Sequence, residues 1–479
     1  MNWFEQIAFQ AKLSPDEPAV VFPGGMATYG TLVGCVEAAS QHVLRMGLRK
    51  GQIVALEIRH PLLHLVIILA LHRCGIASLT LQTSYLIQQA NLNIDKLLSD
   101  RYQEAGNQSK LILVGNEWLS PPAGNPAPLP VDGFDSADDV CRLVLSSGTT
   151  GAPKVISVTE RNLEYRFARS AILIERGRFL SMMGFSTLGG YQMLMSVLVL
   201  GGTLCFAGAP EDVLQVIALY HVTHLVAAPF QIRSLLEAQR KNGLHLVSLR
   251  HVFLAGSRLE SSLLTEVRQQ LCPNVVCAYG STELGPVAYG PASAMRDIEG
   301  ATGFVMPGET IEIVGSDGAP LPAEQEGVVR IKTANVNSYF VPTAEDGDIF
   351  KDGWFYPGDV GRLMADGLLV ITGRVNEIIN RGGDKLAPEV IEGVLRLMPE
   401  ISDAAVFAVP NTEQIWAAVV GTSVKPEAIL AFCRQKLAGM APDRIFELDC
   451  IPRNDMGKII RDEMREAIMK RLATSFMSS

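Results

Sequence analysis

Short apolar segments alternate with longer amphipathic stretches along the first 280 residues of the chain. A helix-like stretch at 30–47 is followed by a polar turn and an apolar segment at 53–56, and a second helical stretch precedes the segment 77–81. Such short apolar segments between helices are typical of buried strands, and their alternation predicts a layered α/β architecture. The same pattern recurs in three later segments, at 222–227, 251–254 and 275–278.

The pattern changes after residue 298. Short strands separated by turn residues, at 311–314 and 328–331, predict a small β-rich subdomain. From about residue 377, a helix at 389–397, strands at 404–409 and 416–420 and two terminal helices predict a compact α+β unit of about 100 residues, which is a common domain size. The predicted fold is therefore α/β: a large N-terminal domain of layered α/β subdomains with a β-rich subdomain, and then a small α+β C-terminal domain.

Two uncharged stretches could be mistaken for membrane spans. Residues 65–71 are far fewer than the roughly 20 that a spanning helix needs, and the run 179–210 is interrupted by glycines. We expect both to form buried helices and strands, and we expect no membrane span. Residues 116–138 are rich in Pro, Gly and Asp and predict a long surface connection.

The composition narrows the class of protein. Apolar residues make up 48% of the chain and charged residues 19%, which excludes an intrinsically disordered protein. The 41 basic residues are outnumbered by 50 acidic ones, so the chain lacks the basic surface that nucleic acid requires. Eight scattered cysteines without a C-x-x-C pair indicate reduced thiols, and the N-terminus does not resemble a signal peptide. We therefore expect a cytoplasmic protein that does not bind nucleic acid.

Histidines offer one candidate for a metal site. His221 and His224 form an H-x-x-H pair, the closest spacing among the eight histidines. No acidic or thiol residue nearby in the sequence completes a ligand set, so we do not expect a metal ion there.

The most distinctive motif is Leu-Ser-Ser-Gly-Thr-Thr-Gly-Ala-Pro-Lys at 145–154. Gly148 and Gly151 allow backbone N–H groups to point inward as an anion-binding nest, while hydroxyls and Lys154 add further donors. The spacing does not fit the G-x-x-x-x-G-K-[ST] pattern of P-loop NTPases. The motif predicts a phosphate-binding loop, and an exposed turn without function is the alternative from this segment alone.

The loop resembles the signature of the adenylate-forming superfamily, which contains acyl-CoA synthetases, adenylation domains of peptide synthetases and luciferase-like enzymes. Five further family signatures follow in the family's order: Tyr279-Gly280-Ser281-Thr282-Glu283, Phe355-Tyr356-Pro357-Gly358-Asp359, Gly373-Arg374, Arg381-Gly382-Gly383-Asp384-Lys385 and Gly457-Lys458. Each motif is weak alone, but the ordered set extends the resemblance over residues 28–465, which is almost the whole chain.

The resemblance implies a nucleotide site for ATP with magnesium. Thr282 is expected to contact the α-phosphate, Glu283 to hold magnesium through hard oxygen ligands, and Asp359 to accept hydrogen bonds from the ribose. The phosphate loop is expected to contribute Ser146, Ser147, Gly148, Thr149, Thr150, Gly151 and Lys154. Other expected nucleotide contacts are Gly256, Ser257, Arg258, Tyr279, Gly280, Ser281, Ile371, Arg374 and Lys458.

The implied reaction has two steps. A substrate carboxylate attacks the α-phosphate of ATP to give an acyl-adenylate and pyrophosphate, and a thiolate then displaces AMP to give a thioester. Thr282, Glu283 and Lys458 are the expected catalytic residues, because preorganised cations and donors should stabilise the charge on the α-phosphate.

The resemblance also implies a domain boundary near residue 376. An N-terminal ATP- and acyl-binding domain at 1–375 would precede a mobile lid at 376–479 that carries Lys458, with Asn376 as the hinge. Ser186, Gly189, Gly280, Gly382 and Gly383 are the expected acyl and thiol pocket, since glycines admit a pantetheine thiol.

Departures from the family pattern occur at Val155, Ser186, Phe355, Pro357, Asn376 and Asn454. The segment 184–190 also lacks the aspartate with which amino-acid-activating relatives bind the α-ammonium group. A buried ammonium without a carboxylate is costly, so amino acids are disfavoured as substrates.

The main prediction is an AMP-forming carboxylate–CoA ligase that acts on a fatty, aryl or other organic acid with ATP, magnesium and CoA. One alternative delivers the acyl group to the phosphopantetheine of an acyl carrier protein. A second alternative, suggested by the departures, is a catalytically weakened nucleotide- or acyl-binding protein. The expected partner is a small-molecule carboxylic acid, and the expected state is a monomer or homodimer.

Overall fold

A computed structural model describes most of the chain. The described residues are 2–83, 86–87, 90–101, 110–124, 128–129, 133–146, 154–171, 174–244, 246–336, 338–339, 349–377, 379–381, 384–409, 412, 414–421, 425–453 and 459–477. Contacts divide the chain into a first unit (Met1–Ala255, Glu266–Val287 and Thr333–Asp346) and a second unit (Gly256–Thr265, Ala288–Lys332 and Gly347–Ser479). Within the described residues, no helix combines the length and apolar character needed to cross a membrane.

The first unit contains a sheet of mostly parallel strands. In chain order its strands are β1 Pro18–Phe22, β2 Gly25–Thr28, β9 Arg178–Ser181, β10 Thr203–Cys205, β11 His224–Ala227, β12 His251–Leu254 and β13 Val275–Ser281. They are arranged β13-β12-β11-β9-β10-β1-β2, and β2 is the antiparallel member. The buried strands β11 and β12 confirm the prediction of apolar strands alternating with helices.

A second sheet of the first unit carries the phosphate-loop motif. Its strands are β3 Ile53–Glu57, β4 Ala77–Thr80, β5 Lys96–Ser99, β6 Leu111–Leu113, β7 Val140–Ser146, β8 Lys154–Thr159 and β18 Ser338–Tyr339. The order is β18-β8-β7-β4-β3-β5-β6, with β8 and β18 antiparallel to their neighbours. This sheet has its own apolar core, which includes Leu79, Leu97 and Leu143.

Helices flank these sheets. They are α1 Trp3–Leu13, α2 Tyr29–Arg45, α3 Pro61–Arg73, α4 Glu160–Ser170, α5 Leu188–Val199, α6 Val213–Leu219, α7 Pro229–Asn242 and α8 Ser261–Gln270, which begins in the second unit and ends in the first. Helix α3 is buried from Leu62 to His72, which confirms a buried helix for residues 65–71. The predicted surface connection at 116–138 is wrong at its start, because a 3₁₀ helix at Asn116–Leu119 buries Trp118 against His42.

The second unit begins with an antiparallel sheet. Its strands are β14 Gly285–Pro291, which starts in the first unit, β15 Ala301–Val305, β16 Thr310–Val314, β17 Gly327–Lys332, β19 Phe350–Lys351, β20 Trp354–Phe355, β21 Asp359–Leu363 and β22 Leu368–Arg374. The order is β19-β20-β17-β21-β22-β15-β14, and β16 also pairs with β17. The predicted β-rich subdomain is therefore present.

The C-terminal part of the second unit combines strands and helices. Its elements are β23 Ile379–Arg381, β24 Asp384–Leu386, α9 Pro388–Leu395, β25 Ile401–Ala408, β26 Ile415–Gly421, α10 Pro426–Leu437, β27 Arg444–Glu447 and α11 Arg461–Met477. Alternate residues of β25 enter different cores: Ala404 and Val406 pack with α9 and α10, whereas Ala405 and Phe407 pack with α11. The α/β fold class is thus confirmed, while the boundary at 375/376 and the mobility of the lid stay predictions.

Candidate active site

The segment 184–190 and the 279–283 motif lie at the carboxyl ends of strands in the parallel sheet of the first unit. Strand β9 connects through α5 to β10 on one side, whereas β11 connects through α7 to β12 on the other side. This is a topological switch point, where α/β proteins bind ligands at the carboxyl ends of their strands. Ser186 and Gly189 follow β9, and the residues Tyr279–Ser281 form the end of β13.

The phosphate-loop motif connects the ends of a β-hairpin. Strands β7 and β8 are antiparallel, with Leu145 opposite Val155 and Ser146 opposite Lys154. Val155, which departs from the family pattern, is buried in the apolar core of this sheet. Residues 147–153 lie outside the described residues, so the roles of Ser147, Gly148, Thr149, Thr150 and Gly151 stay predictions.

The 279–283 motif ends strand β13 and forms a tight turn into β14. A Cβ atom at Gly280 would lie 2.6 Å from the carbonyl carbon of Gly285 and would also overlap the Gly285 oxygen. Because backbone atoms cannot yield as a flexible side chain can, this position requires glycine. The Ser281 hydroxyl accepts a hydrogen bond from the Leu284 N–H at 3.3 Å, which helps to fix the turn that presents Thr282 and Glu283.

Two buried side chains hold this turn in place, and neither was expected from the sequence. Arg166 on α4 is only 4% exposed and donates from Nη2 to the Thr282 carbonyl oxygen at 2.8 Å. Asn335 donates from Nδ2 to the Leu284 carbonyl oxygen at 2.8 Å, and its own Oδ1 accepts from Asn162 at 3.1 Å.

Arg166 also brings a positive charge beneath the turn. Burial lowers the pKa of Arg166 to about 10, while the nearby Glu283 carboxylate opposes that shift. The guanidinium therefore stays charged at neutral pH. Gly285 has φ +83°, and a Cβ there would lie 3.0 Å from Arg166 Cζ, so the guanidinium packs directly against the backbone of the turn.

The segment 184–190 is anchored to the second sheet of the first unit. The buried Arg142 of β7 donates to the Phe185 carbonyl oxygen, and it also donates to Ser78 and Thr80 at 2.9 Å each. The His64 ring packs 4.7 Å from the Phe185 ring. These contacts fix the backbone that carries Ser186.

The two glycines of this segment differ in their surroundings. Gly190 packs tightly, since a Cβ there would lie 2.5 Å from the Met183 carbonyl oxygen. Gly189 faces open space, since a Cβ at this position would meet no neighbouring atom within 4 Å. Thr187 caps helix α5 by accepting a hydrogen bond from the Gly190 N–H at 3.0 Å. An open position at the first turn of a helix suits the predicted acyl pocket.

Two residues that are predicted to bind the nucleotide lie side by side in the second unit. Asp359 of β21 and Arg374 of β22 are cross-strand partners, and Arg374 Nε lies 3.0 Å from Asp359 Oδ1. The Asp359 carboxylate is buried, so this ion pair orients the acceptor that is predicted to bind ribose. Ile371, on the same pair of strands, is also buried, and its N–H donates to the Gly300 carbonyl oxygen at 2.9 Å.

The segment with Gly256, Ser257 and Arg258 also belongs to the second unit. Gly256 has φ +101°, a conformation that favours glycine. Arg258 Nη2 lies 3.4 Å from Glu299 Oε1, and the other oxygen of Glu299 accepts from the Ser261 hydroxyl at 2.8 Å. Glu299 therefore fixes the segment between Arg258 and helix α8.

Several predicted residues lie outside the described part of the chain. Gly382, Gly383, Asn454 and Lys458 belong to this group, and the side chain of the predicted hinge residue Asn376 is not described, although its backbone forms a 3₁₀ turn. The segment with Lys458 is bounded by an antiparallel bridge between Arg453 and Ile459. The assembly of all predicted residues into one site stays a prediction.

A buried charged cluster connects helices α9 and α11 with the 3₁₀ turn at Val375–Glu377. Arg461 forms ion pairs with Glu377 at 3.1 Å, Glu392 at 2.7 Å and Glu389 at 3.5 Å. Burial and the neighbouring Glu392 raise the pKa of Glu389 to about 7. One arginine thus faces three carboxylates.

The chain is similar to curated and solved proteins over nearly its whole length. The curated 2-succinylbenzoate–CoA ligase of Bacillus subtilis (strain 168) is 26% identical over 490 residues, which cover 97% of this chain and 98% of the relative. A feruloyl-CoA synthase of Amycolatopsis sp is 25% identical over 485 residues, 95% of this chain and 97% of the relative. The solved O-succinylbenzoate coenzyme A synthetase of Bacillus subtilis, in complex with ATP and magnesium ion, shares the fold with a TM-score of 0.85 at 24% identity, over 97% of this chain and 99% of that one. A family model described as AMP-binding enzyme matches residues 7–340, most of the chain, and the protein therefore belongs to the family of AMP-binding enzymes.

Proposed function

We propose that this protein is an AMP-forming acid–CoA ligase that activates a carboxylic acid with ATP and then forms a CoA thioester. The observation that carries the proposal is the family match combined with the ordered signatures. The end-to-end similarity to curated proteins named as CoA ligases supports the same reaction and the cofactors ATP, magnesium and CoA.

The first step places the substrate carboxylate against the α-phosphate of ATP. Negative charge builds on the α-phosphate, and the donors of the 145–154 loop together with Thr282 and Lys458 are our candidates for stabilising it. Asp359 accepts hydrogen bonds from the ribose, and Arg374 holds that carboxylate in place.

The residues of the 279–283 turn fit a magnesium ion. Glu283 lies on a turn whose backbone is held by the hydrogen bond from Arg166 to the Thr282 carbonyl oxygen. Its carboxylate supplies the oxygen ligands that magnesium prefers. When bound, the ion offsets charge on the phosphates. Arg166 holds the turn in position, because it donates a hydrogen bond to the carbonyl oxygen of Thr282, the residue before Glu283.

The acyl group is expected beside the segment 184–190, near the open side of Gly189. An acid that bears an aromatic ring is our first substrate class, since the curated relatives are named for succinylbenzoate, ferulate and indoleacetate. The segment lacks an aspartate for an ammonium group, which supports an acid without an α-amine.

The second step requires a thiol. We propose that residues 376–479 act as a lid about Asn376, that Lys458 serves the first step, and that Gly382 and Gly383 border the thiol path of the second step. CoA is the proposed acceptor, and an acyl carrier protein is the alternative partner. A monomer or homodimer remains the expected state, and the cytoplasm the expected location.

The experiment is product analysis with magnesium–ATP and a panel of aromatic and aliphatic acids. Parallel reactions receive CoA or a carrier protein loaded with phosphopantetheine. We expect an acyl-CoA, AMP and pyrophosphate in equal amounts with at least one acid. If the thioester formed only on the carrier protein, the acceptor would be the carrier protein and not CoA. Nucleotide binding without pyrophosphate release for any acid would overturn the proposal in favour of a binding protein.

A further inference from the structure

Three potential metal ligands meet at the amino-terminal edge of the first unit's parallel sheet. His224 and His251 are the first residues of β11 and β12 and lie opposite each other in register. Glu175 precedes β9, and ligand atoms of the three side chains all lie within 4.8 Å of one another. The predicted substrate segments lie at the carboxyl ends of these strands, so this cluster is separate from the candidate active site.

The hydrogen bonds of Thr223 bear on which nitrogen of His224 is available to a metal ion. The Thr223 hydroxyl donates to the Arg178 carbonyl oxygen at 3.1 Å and accepts from the Arg178 N–H at 2.9 Å. His224 Nδ1 lies 2.7 Å from the same hydroxyl, and when the hydroxyl proton is donated to Arg178, Nδ1 is the donor in this contact. In that tautomer the lone pair of the imidazole is on Nε2, as in metal-binding histidines whose other nitrogen donates a hydrogen bond.

His224 is held in this state by its surroundings. It is 1% exposed and stacks on Phe179 at 4.1 Å. A Cβ at Gly177 would lie 2.8 Å from Nδ1 and Cε1 of His224, so the backbone beside Glu175 fits closely against the ring.

His251 supplies a second nitrogen. Its ring stacks on that of His224 at 5.3 Å with an angle of 13° between the planes. Among the described residues, its buried Nδ1 has no hydrogen-bond partner. An unsatisfied buried polar atom is unfavourable, and a bound ligand would relieve that cost. Because a lone pair lies in the ring plane, metal binding requires His251 to turn out of the stack.

Glu175 provides a negatively charged oxygen at the exposed side of the cluster. Arg250 contributes an opposing positive charge close to His224, so the carboxylate is needed to make a cation favourable here. Two imidazole nitrogens and one carboxylate are a ligand set typical of zinc and neighbouring divalent ions, and the exposed side leaves a position for water.

We propose that Glu175, His224 and His251 form a binding site for a divalent transition-metal ion, with zinc as the probe. The ion would join the segment before β9 to the starts of β11 and β12 and thereby stabilise the first unit. His221, which the sequence pairs with His224, is exposed and is not part of this site.

The experiment measures zinc binding to the full-length protein after chelation and removal of bound metal. Isothermal titration and competition with a chromophoric chelator are applied to the wild type and to Glu175→Gln and His251→Gln. The control is His221→Asn, because asparagine tolerates the left-handed φ of +50° at this exposed position. Cobalt spectra of the same proteins reveal any thiolate ligand through its charge-transfer band.

We expect one equivalent of zinc in the wild type and the control, and binding weakened by roughly tenfold or more in Glu175→Gln and His251→Gln. Zinc should raise the thermal unfolding temperature of the wild type and of the control only. Absence of stoichiometric binding in the wild type would overturn the proposal. Unchanged affinity in both variants, or a cobalt–thiolate band, would place the ion elsewhere and overturn it equally.

Discussion

Replacing Arg166 with methionine should slow adenylation while leaving the predicted phosphate loop intact. Arg166 is buried, and its Nη2 donates to the Thr282 carbonyl oxygen at 2.8 Å. Methionine is unbranched and apolar, so it can occupy part of the same space without the hydrogen bond or the charge. The turn that carries Thr282 and Glu283 then loses the contact with helix α4.

The expected magnitude follows from the interaction that is lost. A hydrogen bond to a charged group contributes about 1.5–3 kcal/mol. If this energy holds the turn in the geometry of the transition state, its loss corresponds to a decrease of roughly 10- to 100-fold in kcat/KM, since about 1.36 kcal/mol is tenfold in rate. Arg166→Lys should lie between the wild type and Arg166→Met, because it keeps the charge but not the planar fork.

The assay is acid-dependent exchange of pyrophosphate into ATP, which reports adenylation without the thiol step. The matched control is Arg161→Met on the same helix, because its ion pair with Asp138 is exposed and surface pairs contribute about 0–1 kcal/mol. Circular dichroism checks that all variants are folded. A folded Arg166→Met protein with the same kcat/KM as the control would refute the positioning role of Arg166.

Three further predictions address other parts of the molecule. Gly189→Ala should fold normally, because its methyl group faces open space, and it should raise KM for bulky acids more than for small ones. Gly190→Ala should unfold at a lower temperature, because its methyl group would meet the Met183 carbonyl oxygen. KM values test the first variant, and thermal unfolding tests both. Asp359→Asn should raise KM for ATP about tenfold, because the ribose hydroxyls lose a charged hydrogen-bond acceptor. Equal KM values for the variant and the wild type would contradict this prediction. Because the pKa of Glu389 is raised from 4.5 to about 7, its contribution to stability is lost as the pH rises through that range. Glu389→Gln should therefore flatten the decline of the unfolding temperature between pH 5 and 8, and an unchanged profile would argue against the raised pKa.

Local patterns predicted the strands well because strand formation here depends on short apolar segments. The strand His251–Leu254 has the predicted bounds, and Ile401–Ala408 differs from the predicted 404–409 mainly at its start. The start is harder to predict because Ile401 and Asp403 are separated by a register shift, which interrupts the regular pattern.

The supports of the candidate site could not be predicted in the same way. Helix α4 contains several arginines, and nothing in the local sequence states that Arg166 is buried while Arg161 is exposed. A weak signal exists, because Leu163 and Arg166 are three residues apart and share one face of the helix. The contact with Thr282, more than a hundred residues away, follows only from the tertiary fold.

The histidine cluster shows a second limit of local spacing. His221 and His224 are close in sequence, yet the partner of His224 is His251 on the neighbouring strand. In the structure both histidines begin neighbouring parallel strands, so the order of strands in the sheet, which the H-x-x-H spacing does not contain, is what brings them together. The burial of Trp118 was not predicted for a related reason. Its segment is rich in turn residues, yet the Trp118 ring stacks on the ring of His42.

The central claim is that this chain adenylates a carboxylic acid. The most direct measurement is exchange of labelled pyrophosphate into ATP with magnesium and a panel of acids in the absence of CoA, for the wild type and for Lys458→Ala. The account predicts exchange that depends on the acid and is lost in Lys458→Ala. Exchange that no acid supports in the folded wild-type protein would contradict it.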